Sequence, residues 1–487
     1  MQIKRTPWVV IAWLIPTIYF HVSGQPESAA RTLSREECLH LGLQESLTLQ
    51  MQRLQLASAS ADVLRASALY DSQVNVQGAW EDSELPPGSF PSSGGVERGL
   101  LNGQIGRMLS SGTRVGLELD VQRNFFEGIG TMAEPTIRTA AGVTLSQSLW
   151  NNAFGAADRN QIDYVRQRLD VLALDYQQQR EEVAAQILDT YWSAMIARVV
   201  AETQVSVVAR LNQLLETNRR YVDDGLLEET SVYAVDASLA VAEVDQLTLR
   251  FEADALDERL KELIRLPSHQ WESTFITYEL PDETDTSTTI SFIEVFEDAL
   301  RYRADVEALR REEKRVDSLI RATELDNRAD LELNASLGRG DSDTEFGDTL
   351  DFDKTLWSVG VVYGLSLGKS DTRAALMQAL LQREQVRVQR DMLELEIERL
   401  SRAAVRQVET ARRLIPATRR ALEAQRKKLE LELARFQRGQ SDTRTILDYE
   451  DDRDLAERDH VRAVGSYQRA LVALDQVRGT LLPEEQP

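Results

Sequence analysis

The chain runs to 487 residues and carries 79 acidic against 56 basic side chains, a formal net charge of −23. Such an excess repels a phosphate backbone, so nucleic acid is set aside as a partner. The single cysteine, Cys38, rules out an intrachain disulfide, and the four histidines (His21, His40, His269, His460) are scattered without paired spacing, which speaks against metal or histidine-based catalytic chemistry and leaves no cofactor expected.

Residues 1–24 combine a Lys4-Arg5 start, an apolar run from Trp8 to Phe20 and a small-residue end at Ser23-Gly24, with a second cleavage candidate at Ser28-Ala29-Ala30. That pattern predicts a secretory signal peptide and an exported chain. Beyond it no run of about 20 apolar residues occurs, so a membrane role has to come from strands rather than helices. Cys38, in LSREECLHLG, lacks the small-residue context of a lipid-attachment site and reads as a partly buried helix residue.

A short helix is expected over about 35–70, after which the apolar period switches to two. Val74, Val76 and Trp80 alternate with polar neighbours; residues 101–123 read as a hairpin about Ser110-Ser111-Gly112, preceded by the loop text SELPPGSFPSSGG; Ala141, Val143 and Leu145 continue the alternation. From Ala153 to about Val222 the chain is charge-rich and nearly free of Gly and Pro, with Ile162, Val165, Leu169, Leu172 and Tyr176 at spacings of three and four. This predicts a coiled-coil-like helix on the order of 100 Å long at 1.5 Å per residue, far beyond a globular domain. It reverses near Gly225 and returns as a second helix to about Leu266, before Pro267.

The acidic, Thr-rich segment 267–290 connects this first unit (31–266) to a second (291–482) with the same plan, ahead of a tail at 483–487. A helix over about 291–327 leads to alternating Leu331, Leu333, Ala335 and Leu337, then Trp357, Val359, Val361, Tyr363, Leu365 and Leu367. A long helix over about 373–437 contains Pro416, which is expected to bend it or mark a junction, and after Gly439 a returning helix covers about 443–481. The two turn regions, RYVDDGLLEETSVYAVDASLAVAE (220–243) and RFQRGQSDTRTILDYEDDRDLAE (435–457), place Glu243 and Glu457 at the same distance from Gly225 and Gly439, which marks an internal repeat.

The strand pattern fits a half-buried soluble sheet as well as a membrane barrel with a wet lumen. Five or six strands standing between helices, with no second sheet to pack on, favour the bilayer as the cover for the apolar face. So few strands cannot close a barrel alone, so several copies are expected to share one.

In order and in duplicate, the two turn regions and the strand-to-helix junctions VTLSQSLWNNAFGAADRNQ (143–161) and VGVVYGLSLGKSDTRAALMQA (359–379) resemble the TolC-like outer-membrane efflux proteins over essentially the whole mature chain. The resemblance implies a mainly α chain with membrane β strands. As a homotrimer it would form one shared outer-membrane β-barrel, usually with four strands per protomer, continuing into a periplasmic α-helical barrel. It implies a passive exit duct for drugs, solutes, metal ions or, as in type I secretion, polypeptides, linked through a periplasmic adaptor to an inner-membrane transporter, and no catalysis. Whether 101–123 adds strands to that barrel stays open in the sequence.

On the same resemblance, Gly225, Leu226 and Gly439 become adaptor-contact candidates at the tunnel tip, and Asp448, with Thr445 and Asp452, a candidate pore constriction. Three copies of a carboxylate about a narrow aperture would favour cations. The family's second constriction acid is replaced here by Thr445, and its counterpart in the first unit is Ser231. An ordinary solvated acidic face accounts for Asp448 equally well, since Glu450, Asp451, Asp452 and Asp454 crowd the same turns. A periplasmic coiled-coil adaptor or scaffold is the alternative function; an enzyme using Asp223-Asp224 or Glu228-Glu229 has neither a pocket nor a histidine behind it.

Overall fold

The computed structural model describes residues 31–84, 95–126, 134–278, 290–365 and 367–482. The expected signal peptide, the tail, most of the SELPPGSFPSSGG loop and residues 279–289 of the acidic connection lie outside the described residues.

The first unit opens with β1 (Arg31–Leu33) and α1 (Arg35–Glu45). Ser34 and Glu37 start α1 as a reciprocal capping box: the Glu37 amide donates to Ser34 Oγ (3.3 Å) and the Ser34 amide to Glu37 Oε2 (2.8 Å). The single helix expected over 35–70 is in fact two. Ser46 leaves helical geometry at φ −55°, ψ 123° and α2 (Leu47–Ser67) starts anew, with the Leu49 amide donating to Ser46 Oγ. Strands β2 (Gln73–Glu84), β3 (Gly95–Met108), β4 (Thr113–Phe126) and β5 (Thr136–Ser148) follow, then α3 (Ala156–Asp223) and α4 (Glu229–Leu263).

The connection contributes β6 (Thr274–Ile276), which pairs in parallel with β1 and so closes a small sheet with the start of the chain. In the second unit α5 (Phe292–Tyr302) and α6 (Ala304–Asp326) repeat the break, at Arg303. Strands β7 (Asp330–Asp343) and β8 (Lys354–Gly364) precede α7 (Ser370–Phe436) and α8 (Thr443–Arg478). Helix α7 stays one element through Pro416, so the proline marks no junction; the Thr418 hydroxyl donates to the Leu414 carbonyl (2.9 Å) beside it.

At 68 residues α3 extends about 100 Å. It packs on α4, and α7 packs on α8, as two long antiparallel hairpins that meet through α3 and α8; α2 lies on α3, and α6 on both α3 and α7. The main core gathers where α1, the middle of α3 and the end of α4 meet the small sheet: Leu33, Cys38, Ile187, Tyr191, Trp192, Met195, Leu260 and Ile264 are all buried there. Cys38, expected to be partly buried, is wholly enclosed. Tyr191 donates its hydroxyl to the Thr277 carbonyl (2.9 Å), and Tyr278 donates to Asp257 (2.8 Å), which binds the connection onto the helices.

Six strands form one antiparallel sheet in the order β2-β3-β4-β5-β7-β8. The 101–123 text therefore supplies two full strands of this sheet, two more than the family pattern prompts. Register keeps the alternation aligned across it. Val74 is paired with Ile105, Ile105 with Leu117, Leu117 with Val143, Val143 with Leu337 and Leu337 with Trp357. All six of these side chains are exposed, from 41% at Val143 to 72% at Trp357, which no packed soluble sheet face would allow. The opposite face carries Asn75, Gln104, Gly116, Thr144, Ser336 and Ser358 along the same part of the ladder.

Candidate functional site

The end of the rod farthest from the sheet is built from two copies of one backbone motif. At the end of α3 the Gly225 amide donates to the Val222 carbonyl (2.9 Å) and the Leu226 amide to the Tyr221 carbonyl (2.7 Å). At the end of α7 the Gly439 amide donates to Phe436 (2.9 Å) and the Gln440 amide to Arg435 (2.9 Å). Both are Schellman caps, which satisfy the last carbonyls of a helix by turning one residue left-handed. Gly225 and Gly439 each sit at φ +70°, and a β-carbon added at either would meet nothing within 4 Å. The glycines thus serve backbone conformation alone, and the space around them is open. Leu226 is 69% exposed there, an apolar side chain left in solvent at the turn.

Beneath the turns the two hairpins are joined by apolar packing and one buried amide. Leu211, Leu214, Leu215, Val235, Phe436 and Ile446 are buried together, with the Tyr221 and Phe436 rings 5.9 Å apart. Asn218, fully buried, donates through Nδ2 to Thr443 Oγ1 (2.9 Å) and the Ser231 carbonyl (3.3 Å). It ties α3 to the starts of both returning helices. Asp442 caps α8 by accepting from the Thr445 amide (2.8 Å).

The acidic text of α8 divides between two faces. Glu450 and Asp454 are buried toward α3: Arg210 Nε donates to Glu450 Oε2 (2.9 Å), Arg453 lies 3.6 Å from the same oxygen, and Arg458 reaches Asp454 Oδ2 (2.7 Å). Arg458 also donates to Gln204, whose amide donates in turn to the Ala242 carbonyl (2.9 Å). Burial pushes the Asp454 carboxyl above the usual carboxylate range, against the opposing pull of Arg458 and Arg210. Glu457 completes the ladder with Arg426 (2.6 Å) and Arg453 (3.2 Å). None of these arginine and glutamine partners was picked out by sequence reasoning. Arg210 and Gln204 come from α3, Arg426 from α7, and Arg453 and Arg458 from α8 itself, where they follow Glu450 and Asp454 at helical spacings of three and four.

Thr445, Asp448 and Asp452 fall on another stripe, at helical spacings of three and four. Thr445 is half-buried, while Asp448 is exposed and forms no ion pair among the described residues. Asp452 is exposed too, but Lys428 of α7 holds it at 2.8 Å, with the Lys428 ammonium 3.6 Å from the Tyr449 ring centroid. The arrangement thus leaves Asp448 and, three residues on, Asp451 as exposed carboxylates of α8 without an ion pair among the described residues. Among the described residues no group of three or more His, Cys, Asp or Glu could hold a metal ion, and no helix is long and apolar enough to cross a membrane.

Further apolar seams stand unpartnered along the rod. On α4, Tyr233, Ala237, Ala240, Val244, Leu247 and Phe251 repeat at alternating spacings of four and three, all exposed, on the face opposite the buried Val235, Leu239 and Ala242. Met377, Leu381, Val388, Met392 and Leu395 do the same on α7, and Leu47, Met51 and Leu54 on α2. Such spacing is the seam of a coiled coil that lacks its partner helix.

No protein-family model matches the sequence, and no curated protein matches it significantly. Solved structures do. The CmeC outer-membrane channel of Campylobacter jejuni aligns with a TM-score of 0.69 at 13% identity, over 93% of this chain and 87% of that one. The outer-membrane protein VceC from Vibrio cholerae gives 0.67 at 14%, over 91% and 96%. The open state of the MtrE outer-membrane channel of Neisseria gonorrhoeae gives 0.62 at 15%, over 92% and 89%. CmeC and MtrE are outer-membrane channels and VceC an outer-membrane protein, and all three match along nearly their whole length. The chain therefore has the fold of the TolC-like outer-membrane efflux channels.

Proposed function

We propose that this chain is the protomer of a homotrimeric exit duct in the cell outer membrane, its sheet embedded in lipid and its helices forming a tunnel in the periplasm. The observation that carries the reading is the sheet. One face is apolar and exposed on all six strands while the other is mainly polar or small, with Leu356 and Val362 of β8 as apolar exceptions, the alternation expected of a barrel with lipid outside and water within. Strands of 11–14 residues are long enough to span a bilayer at the usual tilt. The seams on α2, α4 and α7 support assembly from copies of the same chain, since each would find its missing coiled-coil partner on a neighbour.

In this reading the duct is passive. An inner-membrane transporter supplies the energy, a periplasmic adaptor docks at the tip through Gly225, Leu226 and Gly439, and the cargo is a drug, solute, metal ion or polypeptide chosen upstream. Three copies of Asp448 face the pore axis where the tunnel narrows. Thr445 and Asp452 lie on the same stripe, with the charge of Asp452 offset by Lys428.

The test is conductance of the purified protein in planar bilayers, after fractionation of outer membranes. Discrete, cation-preferring channels from a detergent-solubilised trimer are expected, and Asp448→Asn is expected to lower the cation preference. A soluble monomer without conductance would overturn the duct and make a periplasmic coiled-coil scaffold the leading reading; unchanged selectivity in Asp448→Asn would remove that residue from the constriction.

A further inference from the structure

Resting on the duct reading, we infer that the barrel has eighteen strands, six from each of three copies, and that β2 of one copy closes against β8 of the next. The β3–β4 hairpin is the feature that decides the count. Both strands are 14 residues long and are hydrogen-bonded along their length between β2 and β5, so they are members of the sheet rather than an extension beyond it. Their turn lies on the helical side: Arg159 of α3 donates through Nη1 to the Ser110 carbonyl (2.6 Å), and Gln147 of β5 donates to the Ser111 carbonyl (3.3 Å). The hairpin thus traverses the same span as its neighbours and returns at the same rim.

Facing confirms the depth. Leu117 and Leu119 of β4 pair with Val143 and Ala141 of β5 on the apolar face, both leucines about half exposed. Between them Glu118 points to the other face, where Asn102 of β3 donates to its Oε1 (3.0 Å) and to Asp120 Oδ2 (3.4 Å). A hairpin standing in water has no use for an exposed leucine row in register with the lipid-facing row of β5; a membrane strand requires one.

Closure follows from parity. The six strands alternate in direction, so the two free edges, β2 with 12 residues and β8 with 11, run oppositely and are matched in length. Rotation of one copy onto the next therefore brings antiparallel edges together, as a closed antiparallel barrel demands. With strands ~4.8 Å apart and tilted ~40°, eighteen strands enclose a cylinder roughly 36 Å across between backbones, against roughly 24 Å for twelve. Each copy contributes four long helical segments to the tunnel (α3, α4, α7, α8) but six strands to the barrel, so the duct widens at its outer mouth. That mouth carries Glu118 and Asp120 on its wet face and imposes no size limit on cargo that has passed the tip.

The test places single cysteines at Leu117, Glu118 and Leu119, with Val359→Cys as a reference on β8, and follows labelling by a membrane-impermeant maleimide in intact outer membranes. Cys38 is buried and stays silent. Labelling of Glu118→Cys at least tenfold faster than Leu117→Cys, Leu119→Cys and Val359→Cys, in an assembly whose native mass is three copies, is the expected result. Equal labelling of all three hairpin positions, with Val359→Cys still protected, would put β3 and β4 outside the bilayer and overturn the eighteen-strand barrel while leaving the duct in place. A native mass other than three copies would overturn the count. Labelling of Val359→Cys as fast as Glu118→Cys would remove the sheet from lipid altogether, and with it the duct reading itself.

Discussion

If the sheet is the wall of a membrane duct, two adjacent residues of β8 should separate lipid from lumen. Val359 is 64% exposed on the apolar face opposite Ala335, and Ser358 lies on the polar face with its hydroxyl 2.8 Å from that of Ser336. Val359 stands midway along the strand from Lys354 to Gly364. Its five residues to either end amount to roughly 17 Å of strand, or roughly 12 Å of depth at a 45° tilt, which puts it near the centre of the hydrocarbon. An arginine there costs about 2–4 kcal/mol per copy, hence about 6–12 kcal/mol for three copies inserted together. Ser358→Arg forfeits one hydroxyl hydrogen bond, about 1 kcal/mol, and places its charge in water. Trimer in purified outer membranes, measured on semi-native gels, is expected to fall more than tenfold for Val359→Arg and to stay within about threefold of wild type for Ser358→Arg. Equal yields for the two variants would refute the facing of β8, and normal yields for both would refute its place in the membrane.

Other consequences concern the rod. Gly225→Ala and Gly439→Ala should each destabilise their turn by about 1–2 kcal/mol, because φ is strained and no clash adds to it; faster hydrogen exchange at the Leu226 and Gln440 amides is the readout, and unequal effects would contradict the identical caps. Arg210→Ala leaves Glu450 with Arg453 alone and should cost about 2 kcal/mol, less than a wholly buried pair because Arg210 is partly solvated; thermal unfolding should show Glu450→Gln recovering at least half of that loss in the double variant. Burial, helped by Glu37 and Asp257, pushes the Cys38 thiol up to about 12 from its ordinary 9.0. The folded-state value is the higher one, so its contribution to stability is complete below about pH 9 and is lost as pH rises from there toward 12. Native protein should resist thiol reagents at pH 8 and react after denaturation; ready labelling of the native form would show that the core about α1 opens.

The parts of this fold legible in the sequence are those set by local periodicity. The long helices, the glycine turns and the strand faces all follow from spacing and backbone freedom, and residue by residue the apolar face read at Val74, Val143 and Val359 is the exposed face of the sheet. The helix breaks were not legible. At Ser46 and Arg303 the chain leaves helical geometry for one residue amid text that is otherwise good helix, and nothing in the local sequence demands it. Nor was the β1–β6 pairing, which joins residues more than 240 positions apart through three backbone partners and has too few side chains to leave a pattern. The partners of the α8 acids were hidden for the same reason. Arg210 and Glu450 are 240 positions apart, and only the docking of one hairpin on the other makes them neighbours.

That docking also explains how a duplicated chain acquires a tip with unlike halves. The repeat fixes the backbone: both long helices end in the same cap, with the same left-handed glycine and the same pair of closing hydrogen bonds. Side chains are free to diverge because the space beside each glycine is open, an added β-carbon meeting nothing within 4 Å. In the first copy the residue after the glycine is Leu226, apolar and exposed; in the second it is Gln440. The returning helices diverge further. Helix α8 carries the arginine-paired ladder on its buried face and the free Asp448 on its open one, whereas the corresponding position of Thr445 in α4 is Ser231, whose carbonyl is engaged by Asn218. Three copies of such a protomer would present an adaptor with six notches of one shape and two alternating chemistries. On the proposed docking, an apolar anchor would engage every second notch, so specificity would rest on Leu226 while the second turn would supply shape alone.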